Sequence, residues 1–148
     1  MKIDGRCHCG FITYEAEAEP ENAAICHCTD CQSLSGSAFR TVIRVGDTFR
    51  LLSGEPTIYV KTAENGNKRA QAFCPRCGSP IYATSVGEGP KAYGVRAGTV
   101  RQRDQFVPKV QIWSRSRQQW VAELASIRII EKLARDQFTS ALNQRPKS

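Results

Sequence analysis

The 148-residue chain is 41% hydrophobic and 24% charged, with its 11 glycines and 7 prolines dispersed, a composition that suits one globular domain and excludes a disordered or repetitive chain. There is no run approaching about 18 apolar residues and no signal-peptide pattern near the start, so a cytoplasmic protein without membrane contact is expected. The formal charge is +7, from 21 basic and 14 acidic residues, and seven cysteines stand in closely spaced groups, a spacing that suits metal ligands in a reducing compartment better than a disulfide framework.

In chain order, "GRCHCG" (residues 5–10) reads as a knuckle and "FITYEAEAE" (11–19) as a strand of alternating exposure. A loop is expected from Pro20 to Cys26, then the run "CHCTDC" (26–31), a turn at "SLSGS" centred on Gly36, and a strand over "AFRTVIRV". "TFRLLSG" and "PTIYVKT" read as two more strands. "ENGNK" supplies a hairpin turn into "RAQAF", which ends at the second knuckle, "CPRCGS". "PIYATS", the glycine-broken "KAYGVRAGTV" and "KVQIWS" complete six to eight short strands, a mainly β domain. From Gln118 to Arg135 apolar residues recur at helical spacing, but "SIRII" equally suits an extended chain; short helical segments flanking it are expected. The whole of 1–148 is taken as a single domain, with 121–148 as a C-terminal extension.

The cysteines divide four and three. Cys7 and Cys9, with Cys74 and Cys77, form two punctuated pairs that can converge on one tetrahedral ion, each followed by a glycine that lets the backbone turn tightly. Soft ligands alone would also admit iron, and a lone CxxC would admit a redox dithiol; a structural zinc is the simplest reading. Cys26, Cys28 and Cys31 then lack a fourth cysteine. They are either spare thiols or a second site with an open coordination position, suited to capturing a soft ligand such as a small thiol. In an extended stretch alternate side chains point oppositely, so His27 is directed away from Cys26 and Cys28, and His8 away from Cys7 and Cys9. His27 and Asp30 are the nearby groups considered for proton transfer or for a hydrogen bond behind the ligands.

If four thiolates hold one zinc and three hold another, the charge falls from +7 toward about +4. The excess is concentrated late, where Arg96, Arg101, Arg103, Lys109, Arg115 and Arg117 face the single acid Asp104. Such a run could receive a nucleic acid or a small carboxylate-bearing ligand, and a solvated face explains it equally well.

"GRCHCG", "CHCTDCQSLSGSAF" (26–39) and "FCPRCGSPIY" (73–82), with "RAGTV" (96–100) and "KVQIWSRSRQQW" (109–120), together resemble the glutathione-dependent formaldehyde-activating, or centromere-protein-V-like, family. The resemblance implies an Mss4-like zinc-binding fold of small antiparallel sheets. It implies a structural zinc on Cys7, Cys9, Cys74 and Cys77 and a looser, exchangeable zinc on Cys26, Cys28 and Cys31, the latter associated with a glutathione adduct. The implied activity is that of a carbon–sulfur lyase acting on glutathione–aldehyde adducts of the S-hydroxymethylglutathione type, with the late basic residues receiving glutathione carboxylates. The alternatives are a non-enzymatic zinc module that binds nucleic acid or a protein partner, and a thiol or metal sensor built on the triplet.

Overall fold

A computed structural model describes residues 1–133 and 137–143. The chain divides into two compact units, Met1–Arg117 and Gln118–Ser148. The first contains ten strands among the described residues: β1 (Lys2–Arg6), β2 (Thr13–Glu17), β3 (Ala23–Cys26), β4 (Arg40–Val45), β5 (Arg50–Ser53), β6 (Thr57–Thr62), β7 (Lys68–Phe73), β8 (Pro80–Ser85), β9 (Tyr93–Arg96) and β10 (Val110–Ile112). A short helix, α1 (Thr29–Ser35), joins β3 to β4.

The strands form a three-stranded sheet in the order β1-β2-β5 and a seven-stranded sheet in the order β10-β3-β4-β9-β8-β7-β6. Two-residue alternation sets the faces. Ile3, Tyr14 and Ala16 turn inward from the small sheet, and Ile43, Val45, Ile81 and Val95 turn inward from the large one. Phe49 lies over the centre of this core, 5.1 Å from the Tyr14 ring, 4.9 Å from Tyr82 and 4.8 Å from Tyr93 between centroids, which are favourable offset and tilted aromatic separations. The other face of the large sheet is left for polar side chains and for the cleft described below.

The mainly β, largely antiparallel architecture agrees with the sequence reading, but several elements differ. β1 was not anticipated, because its single large apolar residue, Ile3, gives no readable alternation. The expected loop before Cys26 contains β3. Its alanines are weak strand formers, but both backbone edges are paired, to β4 on one side and β10 on the other, and that pairing outweighs propensity. β10 runs parallel to β3, an exception to the antiparallel pairing elsewhere. Where a turn was expected after the cysteine run, α1 begins with Cys28 as its cap, the sulfur accepting a hydrogen bond from the Cys31 amide at 3.2 Å. At seven residues it is too short to display apolar periodicity.

In the second unit a 3-10 helix spans Gln119–Ser126, kinked where Glu123 leaves helical geometry (φ −118°), and α2 spans Phe138–Asn143. These short segments flank the stretch after Ser126, as expected; Arg135, the end of the ambiguous stretch, lies outside the described residues. The Arg128 guanidinium donates to the Ala141 carbonyl at 3.3 Å. No helix among the described residues is long and apolar enough to cross a membrane.

Candidate metal centres and an adjoining cationic cleft

Two groups of sulfurs converge. Cys7 follows β1 and Cys74 follows β7, and each leads a knuckle that closes on a glycine in the left-handed region, Gly10 at φ 83° and Gly78 at φ 79°. A side chain there would be strained, and these turns bring Cys9 and Cys77 back beside their partners. The Ile12 amide donates to Cys7 Sγ at 3.2 Å, a bond that favours the Cys7 thiolate, and the Arg76 amide donates to Cys74 Sγ at 3.4 Å. Ser79, which the sequence reading missed, ties the knuckles together: its Oγ accepts from the His8 amide at 3.1 Å and lies 3.2 Å from Cys77 Sγ. Hydrogen bonds from the Ser79 hydroxyl, and then from its backbone, hold the Cys77 thiol down at about 5.

The four sulfurs lie within 4.8 Å of one another, with Cys7 to Cys9 at 3.6 Å and Cys9 to Cys74 at 3.8 Å. A tetrahedron with zinc–sulfur bonds of about 2.3 Å separates its sulfurs by about 3.8 Å, so the donor set and its spacing fit zinc. His8 is exposed beside this group.

The second group is local. Cys26 ends β3, Cys28 caps α1 and Cys31 lies in its first turn, with the three sulfurs within 4.8 Å of one another. Arg40, opposite Cys26 in the register of β3 and β4, donates from Nη2 to Cys31 Sγ at 3.3 Å. The hydrogen bond from Cys26, followed by the charge and hydrogen bond of Arg40, holds Cys31 down at about 5; Cys31 in turn pushes the Cys26 thiol up, with burial adding to the effect. Three soft donors with a cation beside them fit a zinc site with one position open to a ligand.

His27 takes the course that strand alternation predicts. It is fully buried, its Nε2 lies 2.7 Å from Gln111 Oε1, and its ring packs against Phe39 with centroids 5.7 Å apart. Asp30 is engaged in an ion pair with Lys61, Nζ to Oδ2 at 2.8 Å, on the exposed side of α1.

The triplet opens into a cleft of about 430 Å³, within the range of small-molecule sites. Among the described residues five cations line it, Arg40 and Arg44 from β4, Lys61 from β6, Arg69 from β7 and Arg96 from β9, and no carboxylate. Strand pairing assembles them: Val42 stands opposite Arg96, Arg44 opposite Gly94 and Lys61 opposite Arg69. Gly94 keeps the floor low, since a Cβ there would come within 3.0 Å of Val42. Arg96 is buried, donating to Gln71 Oε1 at 2.7 Å and to the Gly94 carbonyl at 3.3 Å. Burial, then the neighbouring Arg40, lowers its guanidinium to about 9, which leaves it charged at neutral pH. Trp113, at the mouth, holds a left-handed conformation (φ 56°) that a non-glycine residue adopts only under tertiary constraint.

The late basic run is dispersed by folding. Arg96 is its only member lining this cleft; Arg101 pairs with Asp4 at 2.7 Å, and Arg115 lies 5.2 Å over the Trp113 ring. A larger cavity, about 480 Å³, lies beside Cys7, but the thiols there are turned toward one another and its Arg101 is neutralised by Asp4. Arg40, Arg44, Lys61 and Arg69 went unremarked in the sequence reading. The available signal was the alternation Arg40-x-Val42-x-Arg44 and Arg69-x-Gln71, a polar stripe on strands whose other face is apolar.

The family model of the glutathione-dependent formaldehyde-activating enzyme matches residues 2–116. The crystal structure of a Rhodobacter sphaeroides protein, 20% identical, superposes with a TM-score of 0.55 over 73% of this chain and 98% of the other, which establishes a shared fold. With a family match over well more than half its length, the chain belongs to the glutathione-dependent formaldehyde-activating enzyme family.

Proposed function

We propose that the protein is a cytoplasmic, zinc-dependent carbon–sulfur lyase acting on glutathione–aldehyde adducts. In this reading Cys7, Cys9, Cys74 and Cys77 hold a structural zinc, and Cys26, Cys28 and Cys31 hold the reactive one. The supporting observation is the placement of the three-cysteine group at the end of a cleft lined by five cations, with no acid among its described lining residues and with Lys61 paired to Asp30 outside it. A zinc held by three thiolates would offer an incoming thiol its fourth position and favour the thiolate. The chain's own residues do the rest. Arg44 and Arg69 receive carboxylates of the thiol, fixing its sulfur near the triplet. Arg40, beside Cys31, places positive charge where the carbonyl oxygen gains negative charge during addition. In the synthetic direction the sulfur–hydrogen bond breaks, a carbon–sulfur bond forms, and the carbonyl π pair moves to oxygen, which takes up a proton.

Exchange spectroscopy of glutathione, formaldehyde and their adduct tests the assignment, because the uncatalysed addition is measured in the same tube. Zinc-loaded protein should accelerate exchange in proportion to its concentration, and Cys28→Ser should return it to the spontaneous rate. No acceleration, together with no change at the zinc absorption edge on adding millimolar glutathione, would overturn it.

A further inference from the structure

The cations of the cleft fall into two tiers. Arg40 and Arg96 are more than nine-tenths buried, and Arg40 touches Cys31. Arg44 and Arg69 are more accessible, and Arg44 lies four residues along β4 from Arg40, about 13 Å at the rise of an extended strand. A thiol seated with its sulfur at the triplet carries its carboxylates several bonds from that sulfur, toward the outer tier.

Arg40 already has the Cys31 sulfur as an acceptor, and Arg96 is then left without an anion of its own. The Nε groups of both Arg40 and Arg96 are buried and have no hydrogen-bond partner. Gln71 and the Gly94 carbonyl offer Arg96 only neutral acceptors. Two buried guanidiniums side by side are costly unless an anion joins them. The substrate atoms within reach are those attached to the sulfur, namely the former aldehyde carbon and its substituents. Formaldehyde places only hydrogens and the new hydroxyl there, and the hydroxyl is neutral once the adduct has formed.

We infer that the aldehyde partner carries a carboxylate on its carbonyl carbon, and that Arg40 and Arg96 together hold this carboxylate in the adduct. The inference rests on the glutathione-adduct reading and names its electrophile: an aldehyde with a carboxylate on its carbonyl carbon is glyoxylate, the simplest 2-oxo acid. The chemistry balances as before: the thiol adds across the carbonyl, its proton ends on the new hydroxyl, and the carboxylate is unchanged.

Two unreactive thioethers separate the possibilities by titration calorimetry on the zinc-loaded protein. S-carboxymethylglutathione places a carboxylate on the carbon next to sulfur; S-methylglutathione does not. The carboxymethyl compound should bind about tenfold more tightly or better, the gain of a charge-assisted arginine contact. Arg96→Gln should remove most of that advantage, whereas Arg44→Gln should weaken both ligands alike. Equal binding of the two thioethers to the unaltered protein would overturn the inference and leave the glutathione site standing. If neither binds, the glutathione reading falls and the inference with it. The comparison on unaltered protein needs no variant, so a misfolded Arg96→Gln protein leaves the test intact.

Discussion

Cys9 meets Cys74 across 65 positions of sequence, whereas Cys26, Cys28 and Cys31 meet within the single junction between β3 and α1. The first group draws its sulfurs from the knuckles that follow β1 of the small sheet and β7 of the large sheet, so an ion bound there would close a long loop and oppose chain entropy. All four vertices of such a tetrahedral site would come from protein. The second group would close almost no loop, offers only three sulfurs and faces a cleft. Losing an ion from the first would release much of the fold; losing one from the second would release little. The two regions teach that the same donor atom would be suited to folding or to chemistry according to how much chain the ligands of a bound ion connect.

The largest effect should come from Cys74→Ser. With a fully buried ligand removed, the loss should be comparable with the whole ~5–15 kcal/mol stability of a domain, seen as absent or shallow urea unfolding by circular dichroism. A cooperative melt near that of the parent would break the contrast. Graded chelation comes next: zinc analysis should fall from two ions to one while the unfolding midpoint barely moves, and simultaneous loss of both ions would break it differently. Changing Cys28 sharpens the point, because this residue also caps α1. Cys28→Ser keeps a capping oxygen and should remain folded while losing the second zinc; Cys28→Ala should be less stable than Cys28→Ser by about 1 kcal/mol, the cost of a lost cap.

The smallest effect concerns Asp4, beside the four-cysteine group. Hydrogen bonds from Arg101, then Gln102, lower its carboxyl from 3.8 to about 2. A depressed carboxylate stabilises the fold above its unfolded value and loses that contribution as pH falls, here between about 4 and 2. Asp4→Asn should therefore melt slightly below the parent at neutral pH, with the gap narrowing over that acid window. The shift should be small, because solvent screens this exposed pair.

Much of the four-plus-three division was legible because cysteines separated by one or two residues, the outer pairs with a glycine behind them, announce their local geometry. The direction of His27 followed from alternation alone. Its partner did not, because Gln111 reaches it only through the parallel docking of β10 on β3. Asp30 looked like a neighbour of the cysteines in sequence, yet Lys61 of β6 draws it outward. β1 and β3 were missed for a related reason: their backbone pairing, not their side-chain pattern, makes them strands.

Taken alone, the sequence determined which side chains can ligate, how they group, and that short strands carry them, because those properties depend on residue type and on the spacing of near neighbours. Only the tertiary structure decided where the charge lies. The late basic run was contiguous in sequence and came apart in space, while Arg40, Arg44, Lys61, Arg69 and Arg96, from four strands, came together on one sheet face beside Cys31. Electrostatic attraction falls with distance through space and is indifferent to separation along the chain, so the cleft exists only once β4, β6, β7 and β9 are in register.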